Sequence, residues 1–467
     1  MKKAAILLFL FCALPFGLMA QEVTLSKGAI TEGLVVNDSL KETFSVFLPK
    51  AFDTERAWPI VFVMDLKGKG RQALSMFTAA AEQEGFVLVA PDHLSDSLSL
   101  SQNVLVTNRL FNRVATLLPI EKSGVYTAGF DDGARFASVL PTFINRIKGV
   151  IAVNASMATT EVLNPKNPFH FVGVVSPESY NYTNLLNEKA VMKGMKMPHH
   201  LVLHKEDGML PDPKTLGQAL KIAALQQKKR GAAGRDEAYV RRAYEEMLDR
   251  ANMFFTNNEP LLAENVLENM EDLFKGFKDT DALRSTYRTL RRSKSYRIQM
   301  RRQESYMLNE SFTREDYSYY LEEDIMTYNF KNLGWWQFQM EELDKLEKAP
   351  EVQKKRLARR LRGYVNALID DNMELLASEK ELDTDALLFT YMLKTITEPQ
   401  NPEFYLKVIS NSSRVEDYGT ALFYLEELLK KGYREKERIY ALENAALFRV
   451  TPEFNELMDT YFKDGGP

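Results

Sequence analysis

The chain is nearly devoid of cysteine. Cys12 is the single one in 467 residues, so no disulfide can form within the chain and no cysteine metal motif exists. Histidine is also scarce, with five in all: His93, His170, His199, His200 and His204. Any chemistry that needs an imidazole base must draw on these. There is no G-x-G-x-x-G and no phosphate loop, which removes the usual sequence signs of dinucleotide and nucleotide binding. Charge of one sign is missing too. The net charge of −4 and pI near 6.0 do not suggest a nucleic-acid binder. Beyond the first residues, no apolar run approaches the roughly 20 residues a membrane span needs.

What is present starts with an export pattern. Met1-Lys2-Lys3 precedes the apolar run Ala4–Phe11, a positive n-region followed by a hydrophobic core. Cleavage is expected near Ala20. Cys12 lies inside this segment, and Phe11 before it argues against a lipoprotein signal. An exported chain of this size without disulfides suits a bacterial periplasm.

Residues 21–228 alternate strand and helix patterns. Phe44–Pro49 alternates like a strand with one exposed face. Trp58–Asp65, Gly85–Pro91, Val125–Ala128, Lys148–Asn154, Phe169–Val175 and His199–His204 are the other strand candidates, short apolar runs of the buried type. Alternation of this kind predicts an α/β doubly wound sheet. Composition changes near Gln226–Gly234, a polar, glycine-bearing stretch read as a linker or helix break. Residues 229–467 are then almost wholly amphipathic helix. Tyr418–Tyr433, a second helix running through Leu447, and a closing helix from Thr451-Pro452 resemble a tetratricopeptide-type array with degenerate repeats.

The sharpest motif is Gly129-Phe130-Asp131-Asp132-Gly133. It stands between a strand and a helix, where G-x-S-x-G forms a nucleophile elbow. With Asp65 and its glycine-bearing loop, Gly149–Ala152, Tyr180-Asn181-Tyr182 and Pro211, it resembles the α/β-hydrolase family. More narrowly it resembles exported Bacteroidetes proteins that carry a hydrolase domain followed by tetratricopeptide-like helices. The resemblance implies a triad in the chain order Ser, Asp/Glu, His. This chain has Asp131 at the serine position, Ser179 at the acid position and Gly208 at the histidine position. Nucleophile, orienting acid and general base are all replaced. The resemblance therefore implies a pseudoenzyme, with no cofactor, that binds a protein partner in the cell envelope through its helical half.

A changed nucleophile is the alternative. Dehalogenases and epoxide hydrolases of this family attack with an elbow aspartate, and a histidine-activated water cleaves the resulting ester. Asp131 would then be the nucleophile and His204 the base, oriented by Glu206, Asp207 or Glu178. The bland reading of His204 is a solvent-facing residue at a strand end. Asp131 with Asp132 also admits a divalent cation by oxygen ligation, but adjacent acids in a turn point apart.

Two further features are weighed against packing. The basic run Arg284–Arg302, interleaved with Tyr287 and Tyr296, offers a cationic stripe to an anionic partner. Its plain reading is a solvated face paired with Glu304, Glu310, Glu315 and Asp316, and Lys354–Arg362 is read likewise. Trp335-Trp336 with Phe338 and Tyr317–Tyr320 reads as a helix-packing core.

Overall fold

The computed structural model describes residues 25–37, 39–205, 210–230 and 236–462. The signal segment with Ala20, the positions Glu206, Asp207 and Gly208, and the glycines of the expected linker lie outside the described residues. The α/β half contains β1 (Ile30–Asn37), β2 (Glu42–Phe47), β3 (Trp58–Met64), α1 (Gly70–Glu84), β4 (Val87–Pro91), α2 (Leu100–Leu117), β5 (Ile120–Phe130), α3 (Asp131–Phe143), β6 (Gly149–Val153), β7 (His170–Val175), α4 (Tyr182–Gly194), β8 (His199–Leu203) and α5 (Pro213–Arg230).

These strands form one sheet in the order β1-β2-β4-β3-β5-β6-β7-β8. β1 and β2 pair antiparallel, β2 joins β4 antiparallel, and every later pairing is parallel. This is the doubly wound α/β-hydrolase-like sheet that the sequence predicts. β4, β6 and β7 are buried at every position, as expected of parallel strands covered by helices on both faces. β2 departs from expectation. Its alternation suggests an exposed face, yet nearly all of it is buried. The polar positions are absorbed locally, since Thr43 and Ser45 hydroxyls donate to Asp92 at 2.9 and 3.2 Å.

The winding reverses around β3. The chain leaves it for β4 on one side and returns to β5 on the other, which makes the C-terminal ends of β3 and β5 a topological switch point. Asp65 and Asp131 follow those two strands.

The remaining chain is helical: α6 (Glu237–Thr256), α7 (Pro260–Phe274), α8 (Asp281–Arg292), α9 (Lys294–Met326), α10 (Leu333–Glu347), α11 (Val352–Ser378), α12 (Thr384–Thr397), α13 (Pro402–Arg414), α14 (Tyr418–Lys430), α15 (Lys436–Tyr440) and α16 (Pro452–Phe462). The hydrophobic core does not stop where composition changes. One contiguous cluster runs from Phe44 in β2 through α6, α7 and α8 to Tyr296 in α9. Gln226–Arg230 is the last turn of α5 rather than a break. A second core joins the distal part of α9 to α10, α11 and α12, and a third holds α13 to α16.

The expected helix through Leu447 is absent. α15 stops at Tyr440, and Arg449 donates to the Tyr440 and Leu442 carbonyls, which ends the helix. α14 packs on α13 instead. Of the aromatic cluster, Trp336 and Tyr317 are core residues, and the Trp336 indole donates to Asp324 at 2.8 Å. Phe338 and Tyr319 remain exposed. No described helix is long and apolar enough to cross a membrane.

Candidate functional site

The elbow is built by close backbone packing. Asp131 follows β5 without a loop and opens α3 with φ +46°, the left-handed region that side chains seldom adopt. Gly129 and Gly133 make the turn possible. A Cβ on Gly129 would lie 2.3 Å from the Gly133 carbonyl carbon, and a Cβ on Gly133 would lie 2.4 Å from the Met64 carbonyl oxygen. The turn thus presses α3 against the end of β3.

Asp131 points into a hydrogen-bonded chain of amides. Its Oδ1 accepts from Asn154 Nδ2 at 2.8 Å. Asn154 follows β6 with φ +57°, and its backbone N–H donates to the Val174 carbonyl at 2.8 Å. Its own carbonyl accepts from Asn181 Nδ2 at 2.7 Å. The ends of β5, β6 and β7 are tied together by these bonds. Burial raises the Asp131 carboxyl above its ordinary range, the Asn154 bond opposes this, and the Asp132 charge adds to it. Among the described residues the Asp131 carboxylate bonds to Asn154 and to no histidine.

The other expected positions are placed as follows. Ser179 lies in the loop after β7 and is buried. Its hydroxyl accepts from the Asn181 N–H at 3.2 Å, and its own N–H donates to the Ser176 carbonyl at 3.0 Å, so it acts there as a turn residue. His204 directly follows β8. It is only 1% exposed, not the solvent-facing strand end of the bland reading, because the end of β8 is covered by packed helices. Glu178 is held in an ion pair by Arg359. Asp65 curls back on its own loop, accepting from the Lys67 and Lys69 N–H groups at 3.2 and 2.6 Å. No group of three or more acids, histidines or cysteines suited to a metal ion occurs among the described residues.

The helical half crosses over this site. Arg360 on α11 donates to the Pro177 carbonyl at 2.7 Å, and Arg314 on α9 donates to the Tyr180 carbonyl at 2.8 Å. Both guanidiniums share the Glu310 carboxylate, 1% exposed, with contacts of 2.6 Å. Gly363 faces Tyr180, where a Cβ would meet the ring at 3.3 Å. One helical rise of 1.5 Å per residue carries α11 about 16 Å from Arg360 to Asp371. At that end Asp371 and Glu374 have raised carboxyls, by burial first. Asp132 adds to both, while Arg135 opposes the shift at Asp371. α11 therefore spans the strand ends from β7 towards the elbow.

Neither Arg360 nor Asn154 is evident as a functional position in the sequence. Lys354–Arg362 reads as a solvated face, yet Arg356 and Arg360 are buried. The available signal is spacing: positions 353, 356, 357, 360, 361 and 365 share one face, and the apolar ones on it are core. The partners expected for Arg284–Arg302 also differ. Arg284 pairs with Glu271, Arg291 with Glu264 and Arg302 with Glu351, so these partners come from α7 and from the N-cap of α11.

No family model and no characterised protein sequence matches the chain. Solved structures match just under half of it. An S-formylglutathione hydrolase from Staphylococcus aureus aligns at 8% identity over 42% of this chain and 98% of its own, with a TM-score of 0.33. An acetyl ester-xyloside bifunctional hydrolase from Caldicellulosiruptor lactoaceticus aligns at 11% identity over 45% and 99%, with a TM-score of 0.35. The AtxE2 isopeptidase is matched at 10% identity with a TM-score of 0.34, and the chain covers only 43% of its length. These are resemblances of fold, and the strand order and the elbow are what place the chain among α/β-hydrolase-like sheets.

Proposed function

We propose that this protein is a non-catalytic binding or scaffold protein of the bacterial periplasm or cell envelope. Its α/β-hydrolase-like half keeps the elbow and has lost the triad. Its helical half, tetratricopeptide-like in character, offers the surface for a protein partner. The observation that carries this reading is the bond from Asn154 to Asp131, in the place where a catalytic elbow would meet a histidine. Two further observations support it. The loop after β3 supplies an oxyanion-hole N–H in hydrolases, and here two of its N–H groups are taken by Asp65. The loop after β7 is clamped by Arg314, Arg359 and Arg360.

A second reading, a dehalogenase- or epoxide-hydrolase-like enzyme with Asp131 as nucleophile and His204 as base, draws on the strained elbow conformation of Asp131 and the burial of His204 after β8. In that chemistry the carboxylate attacks carbon, the halide leaves or the epoxide opens, and an ester forms on Asp131. Incubation with haloalkanes and epoxides followed by intact-mass analysis separates the two. No adduct and no turnover is the outcome expected of a scaffold. An alkyl ester on the wild-type chain that is absent from Asp131→Asn would overturn that reading. Capture of a partner from envelope extracts by the wild-type chain, retained in Asp131→Asn, completes the test.

A further inference from the structure

The end of the sheet opposite the elbow carries a different kind of site. There, beside the N-terminal ends of β7 and β8, lies a cavity of about 540 Å3. Lys189, Lys193, Lys196, Lys229 and Lys275 stand around it. Arg284 joins it to a second hollow of about 510 Å3 lined by Arg288, Arg291 and Arg292. Among the described residues, the carboxylates lining the two are Glu268, Glu271 and Asp272. This is a concentrated positive field in a chain whose net charge is −4. Lys189 is neutralised by Glu268, and Arg284 by Glu271 and Asp281. Lys193, Lys196, Lys275, Arg288 and Arg292 make no ion pair among the described residues. Lys229 is held below its ordinary range by burial, with Lys275 adding like charge.

The cavity has a built polar floor. His200, which is buried, lies with Nδ1 2.8 Å from His170 Nε2 and Nε2 3.2 Å from Asp272 Oδ2. His170 Nδ1 is 3.3 Å from the Tyr126 hydroxyl. Burial holds both imidazoles below their ordinary range. The Tyr126 hydroxyl donates to the Ala223 carbonyl at 3.2 Å, and the buried His200 Nε2 has no hydrogen-bond partner among the described residues although Asp272 lies beside it. Gln226 lines the same wall, with a buried amide oxygen that has no partner.

We propose that this paired hollow binds a small molecule carrying two or more phosphoryl groups, one lobe gripping with lysines and the other with arginines. The size falls within the usual range of small-molecule sites, roughly 300–1,000 Å3. Arginine forks match phosphoryl oxygens two at a time, and lysines supply point charge. His200 and Gln226, on the wall of the lysine lobe, suit a hydroxyl on the ligand. A membrane would meet a concave surface here. An acidic peptide would find little to anchor its side chains, since Met197 and Pro198 are the apolar residues of the larger cavity. The site lies away from Asp131 and stands whether or not the elbow is catalytic.

Calorimetric titration of the full chain at low ionic strength tests this, with inorganic triphosphate and inorganic phosphate as probes. Triphosphate should bind, about tenfold or more tighter than phosphate, and weaken as salt rises. The exposed double variant Lys193→Glu/Lys275→Glu and the variant Arg288→Glu should each lower triphosphate affinity about tenfold or more with unchanged melting temperature. The control Lys354→Glu/Lys355→Glu, on another face, and Asp131→Asn should bind as wild type. The proposal falls if triphosphate gives no heat, if the site variants bind as wild type, or if the control loses as much affinity as they do. It also falls if poly-glutamate or phosphatidylglycerol vesicles bind where triphosphate does not.

Discussion

Asn154 donates its side-chain amide to the Asp131 carboxylate at 2.8 Å, and both residues hold positive φ angles at the ends of neighbouring strands. The bond engages one oxygen, Oδ1, of the carboxylate at the elbow. A carboxylate whose pKa is raised by folding is a stability cost at neutral pH, and at a side chain as exposed as Asp131 solvent screening keeps it small. Its proton affinity is higher folded than unfolded, so this cost develops as pH rises through the folded pKa. Asp131→Asn should therefore leave stability unchanged or raise it by up to about 1 kcal/mol at neutral pH, with the gain vanishing in acid. Urea denaturation across a pH series measures this.

Asn154→Ala removes the amide that opposes the upward shift of Asp131 and puts a Cβ-limited residue at φ +57°. Loss of that side-chain bond and the strain together should cost about 2–3 kcal/mol. The Asp131 carboxyl should move further up, which NMR titration of that side chain would follow.

Gly129→Ala should be far more damaging than its single methyl suggests. The new Cβ meets backbone at 2.3 Å rather than a movable side chain, and α3 must part from β5. A loss of about 3 kcal/mol or more, or failure to accumulate as folded protein, is expected. Gly363→Ala is the contrast. Its Cβ would meet the edge of a Tyr180 ring at 3.3 Å, and a change within about 1 kcal/mol is expected in thermal melts.

Arg360 and Glu310 are both 1% exposed and bonded to each other. Arg360→Met leaves that carboxylate with Arg314 alone and frees the Pro177 carbonyl, at a cost of about 3–5 kcal/mol. Replacing both partners with methionine should not recover the loss, because it strands Arg314, which shares that carboxylate. Faster hydrogen exchange at residues 177–182 in the single variant would mark release of the loop after β7.

Glu188 is buried on α4 with one oxygen bonded to the Met157 N–H at 2.7 Å and the other without a partner. Burial lifts its carboxyl to about 7, against 4.5 as the ordinary value. The folded state binds this proton more tightly, so the contribution is fully present below pH 4.5 and is lost as pH rises through 7. Glu188→Gln should stabilise the protein by about 2–3 kcal/mol at pH 8 and by little at pH 4. The convergence of the two stability curves as pH falls between those limits is the readout.

Much of the sheet is legible in the sequence because buried parallel strands are short apolar runs, and Val150–Val153 or Phe171–Val175 carry that signal unaided. The elbow is legible because Gly129 and Gly133 have no alternative. The partners of the elbow are not, since Asn154 and Asn181 are ordinary turn residues in sequence and gain meaning only when three strand ends meet. The polarity of Arg356 and Arg360 conceals their burial, which depends on Glu259, Glu310 and carbonyls distant in the chain. Local pattern failed for the helix through Leu447 too, because Arg449, beyond that segment, ends it.

The clamp on the loop after β7 also sets a timetable. Arg360 grips Pro177 across 183 residues of chain. At roughly 5–20 residues per second of synthesis, the loop waits on the order of ten to forty seconds for its anchor. The core that begins at Phe44 is likewise incomplete until Tyr296 has been made. The part of that core built by α6 to α9 therefore stays open well after the sheet's own helices have been made.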